Sequence, residues 1–348
     1  MPVETHERFE EIVADWDDLA DRVKAAPWLR PGWIARWWRA FGDGKLHIIA
    51  RRENGRLTGV LPLYERRGAL FSPTNWHTPE FGAVTESGDA TELAIALLAQ
   101  RPRRIQLGWL EKNKAGFDEC RRTAERAGYR LIVRTLERSP YLETGEGWDR
   151  YEARLSSKLL RELRRRRRGL EARGALTLEV SDGTEGLDEL LDEGFLVEGA
   201  AWKAARGSAI DSQPATRSFY REIAHWAAER GSLRLAFLRL DRTPLAFDYC
   251  LEESGIHYLV KTGYDPEYRA FAPGQLMRYL MIEKAFALGL DSYEFLGTDE
   301  QWKLEWSQEV RDRTLLQAFA PSPAGRLDWA AFAVGRPLVE RMYRALKR

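Results

Sequence analysis

Two stretches of this chain carry the same order of apolar runs, and that recurrence limits the folds open to it. In the first stretch, residues 46–51 and 57–63 are β-rich apolar runs divided by Glu53-Asn54-Gly55. Asn-Gly between two such runs is a strong hairpin signal, because both residues tolerate the left-handed backbone of a tight turn. The pattern then predicts extended chain over 76–84, a helix over 91–100, a strand over 104–109, a helix over 117–127 and a strand over 129–135. In the second stretch, runs 233–239 and 244–251 flank Asp241-Arg242, and a strand over 256–264, a helix over 274–288 and a strand over 292–296 follow. Identity is slight, but the order of hairpin, strand, helix and strand is the same. Two copies of one α/β unit are expected. The division is placed in ETGEGWD, giving domains over 1–148 and 149–348. At 348 residues the chain has the length of about two domains.

The copies differ where the helix begins. In the second, the chain passes from Lys261 through RAFAPGQL, and Pro273-Gly274 opens the helix. The first turn of a helix leaves N–H groups unpaired at its positive dipole end, so this entry suits a phosphate or pyrophosphate. The equivalent entry in the first copy, TESGDATEL, carries Glu86, Asp89 and Glu92. Acids there repel an anion. Anion binding is therefore assigned to the second copy, with Arg269 nearby.

Composition excludes several classes. Net charge is +1, so there is no global pull toward nucleic acid or membrane. Cys120 and Cys250 are the only cysteines and the five histidines are scattered, so neither a disulfide framework nor a metal site is expected. The first residues are acidic and lack an apolar core segment, and no run of about 18 apolar residues exists. No signal peptide and no membrane span are expected, and cytoplasmic localisation follows as the default. Charge is nonetheless uneven. Leu155, Leu159, Leu163 and Leu170 lie on one helical stripe, while Arg154, Lys158, Arg161, Arg165 and Arg168 lie on another. A helix with such a face is either a solvated surface or a phosphate- or RNA-facing one, with Arg161, Arg165 and Arg168 as the RNA candidates.

Taken in order, WLRPGWIARWWRAFG, GVLPLY, SSKLLRELRRRRRGL, KTGYDPEYRAFAPGQL and ALGLDSYEFLGTDEQWKLEW span most of the chain. Together they resemble the GNAT-like acetyltransferase family of the CelD/BcsL type, related to the Fem aminoacyltransferases. The resemblance implies two tandem GNAT-like (acyl-CoA N-acyltransferase) units in an α/β (α+β) chain, each a twisted mixed sheet flanked by helices. It implies acetyl-CoA or another acyl-CoA as co-substrate, with no metal, and a small-molecule or peptide amine as acceptor. Carried onto this chain, the donor lies along the strand 256–264 and the loop after it: Lys261, Thr262, Gly263, Arg269, Ala272, Pro273, Gly274, Gln275 and Leu276. The glycine-rich loop usual in such folds is absent here, which leaves room for aminoacyl-tRNA as donor.

Transfer to an amine needs a base, a polarised carbonyl and a proton for the leaving thiolate. Asp265 is a candidate base or, as Asp-Pro, a turn former. Glu294, between Tyr293 and Phe295, is a second candidate base or an outward strand residue. Tyr264 is a candidate proton donor, as are Tyr268 and Tyr293. Trp202 and Lys203 are expected at the acceptor, or as a core indole beside a solvated helix-end lysine. Lys303 is expected to touch donor or acceptor. A non-catalytic member in polysaccharide or envelope biosynthesis is the remaining alternative.

Overall fold

A computed structural model describes residues 3–200 and 210–335 of the chain. The strands are β1 (Val3–His6), β2 (Lys45–Glu53), β3 (Arg56–Arg66), β4 (Ala69–Phe71), β5 (Val84–Thr85), β6 (Arg104–Glu111), β7 (Arg130–Glu143), β8 (Leu176–Ser181), β9 (Leu233–Leu240), β10 (Thr243–Glu253), β11 (Ile256–Tyr264), β12 (Ser292–Glu294) and β13 (Val310–Phe319). The helices are α1 (Val13–Arg22), α2 (Pro31–Phe41), α3 (Thr91–Ala99), α4 (Phe117–Arg126), α5 (Trp148–Arg154), α6 (Ser157–Glu171), α7 (Leu187–Gly199), α8 (Pro214–Glu229), α9 (Pro273–Ala287), α10 (Gln301–Leu304) and α11 (Pro323–Ala330). Two compact units result, Met1–Arg138 with Asp312–Arg348, and Ser139–Arg311. No helix among the described residues is long and apolar enough to cross a membrane.

In the first unit the sheet runs β1-β2-β3-β4-β6-β13, with β5 also on β3. The Asn54-Gly55 turn joins β2 to β3 with both residues at positive φ, +52° and +81°. The parallel pair is β4 with β6, and α3 links them. Leu93 and Leu97 of α3 pack on Leu61, Leu63, Ile105 and Leu107 of the sheet. Burial of each such side chain stabilises by about 1.5–3 kcal/mol.

In the second unit the order is β7-β12-β11-β10-β9-β8. The β9–β10 hairpin turns at Asp241, φ +54°, whose carboxylate also accepts the Ala175 N–H at 2.9 Å. β11 and β12 form the parallel pair, linked by α9. Pro273 occupies the first turn of α9, where its missing N–H is no loss. Leu276, Met277, Met281, Ile282 and Ala285 make its buried face, against Ala236, Leu238, Leu245 and Leu259. Gly289, φ +65°, ends the helix in the left-handed conformation.

Each unit therefore holds a hairpin followed by a strand–helix–strand crossover, as the repeated pattern predicts. A further correspondence is conformational. Trp109 in β6 and Leu296 just after β12 both have positive φ, +54° and +52°. That backbone is costly for a bulky side chain, and it recurs at the same place in each crossover.

Several boundaries differ from the sequence reading. The first unit ends at Arg138, and the chain returns to it at Asp312, because residues 313–319 pair antiparallel with β6. The parallel partner of β6 is the three-residue β4, too short for a periodicity to register; most of 76–84 lies outside named strands. The cationic stripe is split between two helices, because α5 ends at Arg154 and α6 starts at Ser157.

Gly55 has open space around its Cα and a left-handed backbone. Substituting Gly55→Val is expected to cost about 1–2 kcal/mol through backbone strain alone, read as a lowered denaturation midpoint with an unchanged m-value.

Candidate active site

The second unit holds a cleft of about 580 Å³ where β11 and β12 part. The two strands pair only through Ile256–Tyr258 and Ser292–Glu294. Two backbone devices separate them. In β11 the register against β10 shifts between Leu259 and Lys261, so Val260 is the extra residue of a β-bulge, which bends the strand. After β12, Leu296 and Gly297 both take positive φ, +52° and +62°, and turn the chain away. Val260, Lys261, Thr262, Gly263 and Tyr264 line one wall, and Phe295, Leu296 and Gly297 the other. Ala272, Gly274 and Gln275 close one end at the start of α9.

The bulge also decides which way the β11 side chains face. Before it, Leu259 packs in the core under α9. Beyond it, Thr262 accepts from Arg278 of α9 at 3.4 Å, and Tyr264 lies beside Gly274. Lys261 and Gly263 face the opposite side. The Lys261 ammonium sits 5.2 Å from the Tyr220 ring centroid of α8. Gly263 lies against the backbone of Val197 and Glu198 at the end of α7, where a Cβ would stand 3.0 Å from the Glu198 nitrogen and fall on its Cα.

Glu198 is a cleft-wall carboxylate that sequence patterning did not single out. It is 0% exposed, and its Oε2 accepts the Ile210 N–H at 2.9 Å. Its charge, after the larger effect of burial, helps raise the Tyr220 hydroxyl well above its ordinary pKa. A buried glutamate inside an acidic helical stretch is the available signal, but only the fold separates it from its exposed neighbours.

Arg278 is the second unanticipated residue. It is fully buried, lines the cleft, and pairs with Asp248 of β10 at 2.9 Å. It also donates to the hydroxyl of Tyr293. Burial works against its charge, but its neighbours, led by the Asp248 carboxylate, together outweigh this and raise its pKa. Burial also lifts the Tyr293 hydroxyl well above its ordinary value, although Arg278 pulls it the other way. The guanidinium is thus charged and the phenol neutral.

The remaining expected residues divide clearly. Lys261, Thr262, Gly263, Tyr264, Arg269, Ala272, Gly274, Gln275 and Lys303 all line the cleft. Pro273 and Leu276 are buried, with Leu276 in the core. Asp265 does not line the cleft; its carboxylate caps the 3-10 turn Pro266–Phe271 by accepting the Glu267 N–H at 2.9 Å. Glu294 is buried away from the wall and accepts from Arg311 at 3.2 Å. Lys303 donates to the carbonyls of Leu296 at 2.7 Å and Thr298 at 3.0 Å, so its ammonium stitches the turn after β12. Gln275 bridges Glu305, at 2.8 Å, and the Trp306 indole, at 3.0 Å. Trp202 and Lys203 lie outside the described residues.

Chemically, the wedge offers backbone groups that the neighbouring parallel strand leaves unpaired, two carboxylates, Glu198 and Glu300, in its lining and a helix N-terminus at one end. Gly263→Ala is expected to push α7 off β11, at a cost of about 1–3 kcal/mol for overpacking, seen as a lowered Tm. A variant that melts like the parent would show that the approach of α7 to β11 is not tight.

Residues 157–304 match the family model described as an acetyltransferase (GNAT) domain. No curated protein sequence matches the chain. Among solved structures, FemX aligns at 14% identity over 91% of this chain and 97% of its own, with a TM-score of 0.60. L-PGS from Bacillus licheniformis aligns at 11% identity over 93% and 96%, with a TM-score of 0.54. A tandem GNAT protein from the clavulanic acid biosynthesis pathway aligns at 13% identity over 92% and 99%, with a TM-score of 0.50. A GNAT domain is thus matched over residues 157–304, and the fold of the whole chain is similar to that of these structures.

Proposed function

We propose that this protein is an N-acyltransferase of the CelD/BcsL type, moving an acyl group, acetyl in the simplest case, from acyl-CoA to a small-molecule or peptide amine. The observation that carries the reading is the wedge between β11 and β12, ending at the N-terminus of α9. The donor's acyl arm lies between the parted strands, where N–H groups polarise its carbonyl. Its phosphates meet the first turn of α9 and Arg269, which is exposed at the cleft. The amine nitrogen attacks the thioester carbon, the C–S bond breaks, and the thiolate takes a proton. Asp265 and Glu294 are not on the wall, and of the two carboxylates that are, Glu300 is engaged by Lys303 at 3.3 Å and by the Trp302 indole at 3.1 Å, so Glu198 is assigned the amine proton. Tyr264, half-buried in the wall, is assigned the proton for the thiolate. Trp202 and Lys203 remain the proposed acceptor contacts. A cleft of this size lined by Lys261 and Gly274 argues against a purely structural role.

Calorimetry with acetyl-CoA and longer acyl-CoAs tests the donor. One site per chain is expected, and Arg269→Ala should weaken it by about tenfold, or ~1.4 kcal/mol. Folded protein that binds none of these donors would overturn the reading.

One observation favours a second reading, an aminoacyl-tRNA donor. α6 packs on the turn that leads into the cleft: Gly169 faces the Phe271 ring, and Arg173 lies 4.3 Å over it. Arg165 of α6 pairs with Glu162 at 2.8 Å. Lys158, Arg161 and Arg168 are exposed and have no ion pair among the described residues. Under this reading, reversing Arg161, Arg165 and Arg168 to Glu lowers tRNA affinity at least about tenfold and flattens its salt dependence. Unchanged affinity in a mobility-shift titration removes it.

A further inference from the structure

We propose that Arg278 is the positioning residue of the wedge: it holds the parted strands at a fixed opening and offers its Nε–H to an oxygen of the bound donor. The inference rests on the acyl-donor reading of this cleft. Past Tyr258 and Glu294, β11 and β12 share no ladder bonds, and although β10 pairs with β11 as far as Tyr264, no ladder bond crosses the opening itself. Arg278 enters from α9 and supplies the missing tie. One guanidinium nitrogen donates to Asp248 of β10, at 2.9 Å, and to Thr262 of β11, at 3.4 Å. Another donates to Tyr293 of β12. The planar fork of arginine can hold three directions at once, which a lysine ammonium on a flexible stem cannot do with the same rigidity.

The third donor completes the argument. The Arg278 Nε is buried and has no partner among the described residues. A buried N–H left unpaired is destabilising and rare, and here it belongs to a fully buried side chain on the cleft wall. A ligand oxygen would satisfy it. Because Asp248 already balances the arginine charge, the group that fits is a neutral carbonyl oxygen rather than a second anion.

The test compares four proteins: the parent, Tyr293→Phe, Arg278→Lys, and Arg278→Met combined with Asp248→Leu. The double variant removes both buried charges, so its Tm should stay near the parent's. Two readouts are taken at matched stability. In the ligand-free protein, hydrogen exchange at amides 258–264 and 292–296 should be about tenfold faster in the double variant, and faster by a smaller factor in Tyr293→Phe. The acetyl-CoA Kd should rise about tenfold or more in the double variant, and Arg278→Lys should not rescue it although the charge is kept. A double variant that melts, exchanges and binds like the parent overturns the proposal. Should it not fold, Tyr293→Phe decides, with parent-like exchange counting against the clasp. A parent that binds no acyl-CoA would sink the donor reading, while the exchange data would still judge the clasp.

Discussion

The second unit depends on two parallel strands that begin paired and do not stay so. β11 and β12 share a register through Tyr258 and Glu294. The extra residue Val260 then bends one strand, and the left-handed backbone at Leu296 and Gly297 turns the other. Each device has a cost, since a bulge forfeits ladder bonds and a positive φ strains a leucine. What they create is a cleft with polar backbone on its walls and a helix start at its end. The same bulge reverses the facing of β11, so Lys261 and Gly263 meet α7 and α8 while Thr262 and Tyr264 meet α9.

Holding such an opening requires groups that the core would otherwise reject. Arg278 and Asp248 are buried charges, and a pair of this kind gives little or no net stability over well-packed apolar residues. Its contacts instead reach β10, β11 and β12 together. Lys303 does similar work nearby, pulling in the two carbonyls exposed by the left-handed turn. Both cations line the cleft, yet their hydrogen bonds go to the protein's own groups. That is a reason to look to Arg269 and the first turn of α9 for the phosphates of the proposed donor.

Much of the architecture was legible because local chemistry dictates it. Asn54-Gly55 makes a hairpin wherever two apolar runs flank it, and Pro273-Gly274 opens a helix because proline suits the first turn. Repeated order of runs then implies a repeated unit. The cleft-lining residues between Lys261 and Gln275 were legible for the same reason, since they follow one strand into one helix. Features resting on contacts between distant segments were not. β13 pairs with β6 across about two hundred residues of chain. Glu198 looks like its acidic neighbours until Gly263 brings β11 against it. Asp265 and Glu294 had suitable chemistry, but a backbone N–H and an arginine engage them away from the cleft.

The sequence by itself determined the class of the protein: a chain of recurring hairpins and crossovers, with an anion-friendly helix start in the second copy alone. Those properties follow from spacing, turn residues and the sign of nearby charge, all of which act over a few residues. Tertiary structure decided which side chains share the cleft. A single inserted residue in β11 exchanges its two faces, and a strand's alternation cannot reveal where that exchange falls. The pairing of Arg278 with Asp248 and the seat of Glu198 depend on helices packed from far along the chain, so packing rather than pattern assigned them.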